Sequence, residues 1–297
     1  MKGIVSVIIP TYNRKNKLKA CIESLLNQTY IWIEIVVIDD CSTDGTIEML
    51  ENDFNSVKVL VNANNSGVAY ARNKGFNSST GEYICFVDSD NILKGNAIEE
   101  LLNTMLIDKS IGFIGPKMYY LSDPKRIWYA GSDISLLTSR TIIYGLNEID
   151  SGQFDQTRDV MQIPNMWMTK RSVVEKIGLI NEEYVIHYEE SDWAMRALNF
   201  GYRVVYCPSS VTYHDIQISK SIFENIGSRD LGDRVYFYGR NRAIFMKKYA
   251  TKLNYFIFMI LFNNIFMLTY VFIYLKNGRL DLARSFIRGY LSSLSKH

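Results

Sequence analysis

The first third of the chain alternates short apolar runs with longer stretches in which apolar side chains recur at helical spacing. Residues 6–9, 33–38, 57–61 and 83–87 are nearly continuous in Val, Ile, Leu, Tyr and Phe, the pattern of strands buried on both faces. Between them, residues 15–28 set Leu18, Cys21, Ile22, Leu25 and Leu26 on one helical face, and residues 46–53 and 68–77 complete two further helices. Repetition of strand then helix implies an α/β fold, a mostly parallel central sheet with helices on both faces. The apolar run before Pro10 is too short for a signal peptide and reads as the first strand.

Each expected strand ends in a polar cluster, and on such sheets ligands bind outside the carboxyl ends of the strands. The sharpest case is Tyr83-Ile84-Cys85-Phe86-Val87-Asp88-Ser89-Asp90-Asn91, where a buried strand delivers two carboxylates to its exposed end. Residues i and i+2 of an extended segment point the same way, so Asp88 and Asp90 can face one hard cation or the hydroxyls of a ribose. An isolated Asp-x-Asp is also an ordinary turn, and only its neighbours distinguish the two.

The second half is less regular. Tyr188-Glu189-Glu190-Ser191-Asp192-Trp193-Ala194-Met195-Arg196-Ala197 opens a helix with three acids in its first turn, an arrangement that favourable end charges alone could explain. His214 closes the run Val211-Thr212-Tyr213-His214-Asp215, either as a ligand or as a strand-end histidine bonded to backbone.

Four ordered clusters carry a resemblance over roughly residues 3–215. They are Pro10-Thr11-Tyr12-Asn13-Arg14, Val37-Ile38-Asp39-Asp40-Cys41-Ser42-Thr43-Asp44-Gly45, Asn65-Ser66-Gly67-Val68-Ala69-Tyr70-Ala71-Arg72-Asn73 and Phe86-Val87-Asp88-Ser89-Asp90. Together they resemble the family-2 nucleotide-sugar glycosyltransferases of the GT-A fold. The acidic helix and His214 are similar to those of the lipid-linked rhamnosyl and galactofuranosyl transferases. No Gly-x-Gly-x-x-Gly follows the first strand, which disfavours a dinucleotide-binding reading.

The resemblance implies a donor pocket of Pro10, Thr11, Tyr12, Asn13, Arg14, Asp39, Asp40, Gly67, Arg72, Asp88, Ser89 and Asp90. In it Asp39 or Asp40 meets the base, and Arg72 lies near the sugar or diphosphate. It implies Mn²⁺ or Mg²⁺ held by Asp88, Asp90 and His214, and a catalytic set of Glu189, Glu190 and Asp192 that supplies the general base. Arg196 can pair with Glu189 or Asp192, which favours Glu190 as the base. The implied partners are a UDP- or dTDP-linked sugar in preference to a GDP-linked one, a lipid-linked glycan acceptor and a membrane surface, with no nucleic acid. The rivals are a catalytically silent nucleotide-sugar binder and a nucleotidyltransferase. The segment Ile163-Pro164-Asn165-Met166-Trp167-Met168 is bulkier than is usual in the family on the acceptor side.

Composition adds one feature. The chain of 297 residues has a net charge of +2, but ten of its Lys and Arg and only Asp281 among its acids lie from Gly239 onward. That basic segment encloses an uncharged run over residues 253–275, long enough to cross a bilayer. Basic clusters at both ends, with Asn263 and Asn264 in the middle, favour a re-entrant hairpin or an in-plane helix pair on the cytosolic membrane face over a single span. Residues 280–294 read as a further amphipathic surface helix. Residues 1–225 are therefore expected to form the GT-A domain and 226–297 a membrane-association region. The four cysteines make no Cys-x-x-Cys pair and read as reduced residues of a cytosolic protein.

Overall fold

The computed structural model describes residues 3–218 and 234–295. Its first half follows the expected alternation closely: β1 (Val5–Thr11), α1 (Lys15–Leu26), β2 (Ile33–Asp39), α2 (Thr46–Asp53), β3 (Lys58–Val61), α3 (Val68–Ser78) and β4 (Tyr83–Val87). All side chains of β1 and β4 are buried, as their unbroken apolar runs require, whereas β3 is an edge strand and keeps none fully buried. β1 pairs in parallel with β2 on one side and β4 on the other, and β2 with β3. The winding therefore reverses between β1 and β4, and a crevice opens there at the carboxyl ends of both strands.

The second half adds β5 (Asn91–Leu93), α4 (Ala97–Ile107), β6 (Ile111–Tyr120), β7 (Asp123–Tyr129), β8 (Ser132–Ile134), β9 (Thr141–Ile143), β10 (Arg158–Asp159), β11 (Met166–Lys170), α5 (Arg171–Ile177), α6 (Glu189–Asn199) and β12 (Arg203–His214). β11 runs antiparallel between β4 and β6, and β12 lies parallel to β6, which makes a mixed and mostly parallel sheet of the GT-A kind. Phe86 of β4 stacks on Trp167 of β11 at 5.2 Å and meets Trp193 of α6 edge-on at 5.4 Å, so one aromatic cluster locks β4, β11 and α6 together. The short antiparallel pairing of β5 with the end of β12 sets His214 opposite Asn91, one residue from Asp90.

Among the described residues three helices follow: α7 (Arg234–Tyr249), α8 (Lys252–Lys276) and α9 (Leu280–Ser295). The expected boundary at residues 225 and 226 lies outside the described residues. α8 does not fold back as a re-entrant hairpin. A π turn over Phe258–Phe262 precedes the two asparagines, and the Asn264 amide donates to the carbonyls of Met259 and Ile260 while accepting from the Tyr290 hydroxyl. The polar pair is thereby satisfied inside one continuous helix. Nor is α9 an outward-facing amphipathic helix: Ala283, Phe286 and Tyr290 are buried against α7 and α8. Gly289 lets α9 approach α7 closely, since a Cβ there would stand 2.0 Å from the Tyr236 carbonyl. What remains uncovered is a stripe along α8 of Leu253, Phe256, Ile260, Leu268, Phe272 and Leu275, spaced three or four residues apart except where Asn264 falls between Ile260 and Leu268.

Candidate active site

The crevice at the β1/β4 boundary enlarges into a cleft of about 2690 Å³. That exceeds the roughly 300–1,000 Å³ of an ordinary single-ligand pocket, so two substrates fit side by side. Of the expected donor residues, Pro10, Thr11, Tyr12, Arg14, Asp40, Gly67, Arg72, Asp88, Ser89 and Asp90 line it. Asn13 and Asp39 do not. Asn13 fastens the loop after β1 to the loop after β2, its backbone N–H donating to Ser42 and its side-chain oxygen accepting from the Thr43 N–H. Asp39 lies beneath, accepting from the Ser42 N–H, with its other oxygen buried and unsatisfied. Asp40 accepts from Asn62, from the Ser66 N–H and from the Gly67 N–H at 2.8–2.9 Å, so it shapes the loop that opens α3. Gly67, at φ +88°, lets that loop press against Val185, which a Cβ would meet at 2.9 Å.

At the end of β4 the two aspartates part company. Asp88 accepts from Arg72 at 2.7 Å. Asp90 is ion-paired through one oxygen to Arg14, while its second oxygen is buried without a hydrogen-bond partner, 3.5 Å from Nε2 of His214. Burial alone would raise the Asp90 carboxyl, yet His214 and Arg14 beside it hold it well below the usual carboxylate range. Asn165 lies 2.9 Å from the same imidazole nitrogen, and Trp128 packs edge-on to the ring. The structure thus joins Asp90 with His214 and turns Asp88 to Arg72. An orphaned, ionised oxygen beside an imidazole is a donor set that suits Mn²⁺ or Mg²⁺, although among the described residues no three such groups converge.

Arg72 is the hub of the opposite wall. Only 1% exposed, it reaches Asp88 and Glu190 at 2.7 Å and Glu189 at 3.4 Å, and its guanidinium lies over Trp167 at 4.7 Å. One cation serves three carboxylates, so they cannot all hold full charge easily. Burial pushes Glu190 up to about 8; Arg72 opposes the shift, and Glu189 and Asp88 add to it. Glu189 is raised in the same way. Glu189 is 6% exposed and Glu190 20%, and both line the cleft.

Asp192 is not with them. It is completely buried and bound by Arg196 at 3.1 Å, Lys248 at 2.7 Å and the Tyr249 hydroxyl at 2.8 Å, which ties α6 to α7. Arg196 therefore engages Asp192 and leaves both glutamates to Arg72. The turn before α6 is held in an unfavourable backbone, with Val185 at φ +60°, His187 at +65° and Tyr188 at +69°. Asn241 of α7, wholly buried, donates to the carbonyls of Tyr184, Ile186 and His187 at 2.8–3.0 Å and pins that turn.

The sequence reading missed Asn241 and Trp128, and it named Asn165 and Trp167 only as parts of a bulky acceptor-side segment. It also missed the cleft-lining residues of the β8–β9 hairpin and of α7 and α8, among them Arg140, Ile142, Arg242, Ile265 and Phe266. Arg242 was visible only as one of a basic cluster flanking an apolar run, which carries no sign of a cleft.

Two solved structures similar to this one share the fold. GalNAc-T7, in a structure holding UDP, GalNAc and Mn²⁺, superposes with a TM-score of 0.61 at 16% identity over 80% of this chain and 50% of its own. TarS of S. aureus gives 0.53 at 23% identity, over 80% and 42%. In sequence, the glycosyltransferase GlyG of Streptococcus pneumoniae serotype 4 is 29% identical over 61% of this chain and 61% of its own length. WfgD of Escherichia coli, a UDP-Glc:alpha-D-GlcNAc-diphosphoundecaprenol beta-1,3-glucosyltransferase, is 39% identical over 35% of this chain and 41% of its own. The chain thus spans less than two thirds of these relatives. The family model described as glycosyl transferase family 2 matches residues 6–178, more than half of the chain and all four strand-end clusters. By that match the chain belongs to glycosyl transferase family 2.

Proposed function

We propose that this protein is an inverting glycosyltransferase, active in polysaccharide or glycoconjugate synthesis, that moves a sugar from a UDP- or dTDP-linked donor to a hydroxyl of a lipid-linked glycan at the cytoplasmic face of a membrane. The observation that carries the reading is Glu190, a carboxylate with raised proton affinity that lines the same cleft as the strand-end acids. The donor's nucleoside lies along Pro10, Thr11 and Tyr12, with the half-exposed Tyr12 ring free to stack. Glu190 accepts the proton of the acceptor hydroxyl. The oxygen then attacks the anomeric carbon from the face opposite the diphosphate, whose C–O bond breaks with its electron pair, so the anomeric centre inverts.

Asp90 and His214 would hold Mn²⁺ or Mg²⁺, which when bound supplies positive charge for the departing diphosphate. Arg14, already on Asp90, adds its own charge at that end. Membrane attachment is supported by the uncovered apolar stripe of α8, with exposed Lys252 and Lys276 at its ends and each nearby cation worth about 1 kcal/mol at an anionic surface.

The test is turnover of UDP- and dTDP-sugars with release of the nucleoside diphosphate. Excess EDTA or Asp90→Asn should lower turnover about 10²-fold or more while the protein remains folded by circular dichroism. Undiminished activity in EDTA removes the metal from the mechanism, and release of pyrophosphate removes glycosyl transfer altogether.

A further inference from the structure

The cleft holds cations that the donor reading does not use. Arg14, Lys17 and Arg72 are each engaged by carboxylates. Arg140 and Arg242 also line the cleft but make no ion pair among the described residues, and Nε of Arg242 is buried without a hydrogen-bond partner. The Arg242 guanidinium instead lies over Phe266 of α8, 3.2 Å from the ring centre, with no carboxylate beside it among the described residues.

Each arginine has a near chain neighbour in contact with Tyr188, the residue before Glu189. Arg140 follows Ser139, whose hydroxyl meets the Tyr188 hydroxyl at 2.9 Å. The other edge of Tyr188 packs on Phe245 of α7, one turn beyond Arg242, at 5.2 Å. Beyond the arginines the wall turns apolar, with Ile142 of β9 on one side and Ile265 on the other, both about half exposed. Ile265 belongs to the helix whose outer stripe is uncovered, so this end of the cleft continues into the surface assigned above to the membrane.

We infer that Arg140 and Arg242 bind the diphosphate of a long-chain lipid diphosphate acceptor, and that its hydrocarbon leaves the cleft between Ile142 and Ile265 along α8. The inference rests on the lipid-linked reading of the acceptor and adds the place and chemistry of its recognition. Two guanidinium forks suit a diphosphate, and an apolar exit suits the chain attached to it. The sugar carried on that diphosphate then stands beside Tyr188, next to Glu189 and Glu190.

Binding to the full chain in detergent tests this without requiring turnover, using farnesyl diphosphate, farnesol, inorganic diphosphate and UDP as probes. Farnesyl diphosphate should bind at least about tenfold more tightly than farnesol or inorganic diphosphate. Arg242→Gln and Arg140→Gln should each weaken it about tenfold, with UDP affinity unchanged. Ile142→Asp should weaken farnesyl diphosphate and leave inorganic diphosphate alone. Arg140 is exposed, so its substitution tests the site even if Arg242→Gln destabilises α7. Equal loss of UDP would assign the arginines to the donor, and unchanged farnesyl diphosphate binding would remove them from any diphosphate site; either result overturns the proposal. Transfer by the wild type to a lipid-free glycan in preference to a diphospholipid glycan would instead sink the acceptor reading while these binding results stood.

Discussion

Glu189 and Glu190 are neighbours in sequence, and helical geometry alone separates them only by about 100° of rotation. The structure separates them by access, since Glu190 keeps 20% of its side chain exposed and Glu189 only 6%. Glu190→Gln should lower kcat about 10²-fold or more with UDP affinity unchanged, because a lost base removes a transition-state interaction. The base works only when deprotonated, so wild-type kcat should rise with pH through about 8, the value to which burial pushes Glu190. A flat profile between pH 6 and 9 (roughly three units that bracket that value), or a Glu189→Gln variant that is dead while Glu190→Gln turns over, would reverse the assignment. Stability runs the other way: the native state keeps a proton that the unfolded chain releases near 4.5, so this carboxyl's contribution is lost as pH rises towards 8. Asp90 acts oppositely, its contribution present above 3.8 and lost as the solution is acidified. Asp88 and Asp90 were legible in the sequence because the end of a buried strand is an unusual place for two acids, whereas Glu189 and Glu190, in the first turn of a helix where acids are ordinary, were legible only through the family resemblance. Which cation each one meets was not legible: Arg72 lies 118 residues from Glu190, and no local period reports that distance.

Among the elements, β1 and β4 could be read because unbroken apolar runs bury them on both faces, α1 because it buries one face, and the edge strand β3 from its apolar run alone. β5 could not, since three residues carry no period, yet its pairing with β12 is what brings His214 to Asp90. α7 was read only as a basic stretch before an apolar one, but its buried Asn241 holds the turn that aims α6. Asn241→Leu leaves three carbonyls without their donor and should cost about 1–3 kcal/mol of stability. It should also cut kcat at least about tenfold while UDP binds as before, because the turn it pins carries the glutamates and not the nucleoside pocket. Thermal unfolding, kcat and UDP titration together check this. Parallel loss of kcat and UDP affinity would mean that Asn241 supports the whole fold and not the turn.

For the whole molecule, the uncharged run was legible by length and composition, but its disposition was not, because periodicity cannot tell a hairpin at two asparagines from a helix that satisfies them. The outcome is a rod of about 37 Å lying on the protein with one apolar side outward. Leu268→Asp combined with Phe272→Asp should abolish co-sedimentation with anionic phospholipid vesicles and spare UDP binding; continued co-sedimentation would put the anchor elsewhere. The contacts that complete the site also bear on the order in which the chain becomes an enzyme. The sheet around the nucleoside pocket is built from local strand-helix units, whereas Arg72 must close a loop of 118 residues to reach Glu190, and Asp192 one of 56 to reach Lys248. Long loops cost more entropy to close, and α7 and α8 leave the ribosome after the sheet does. A growing chain can therefore form its nucleotide pocket well before it has a working base. Catalytic competence is delayed until α7 and α8 have been synthesised and have docked.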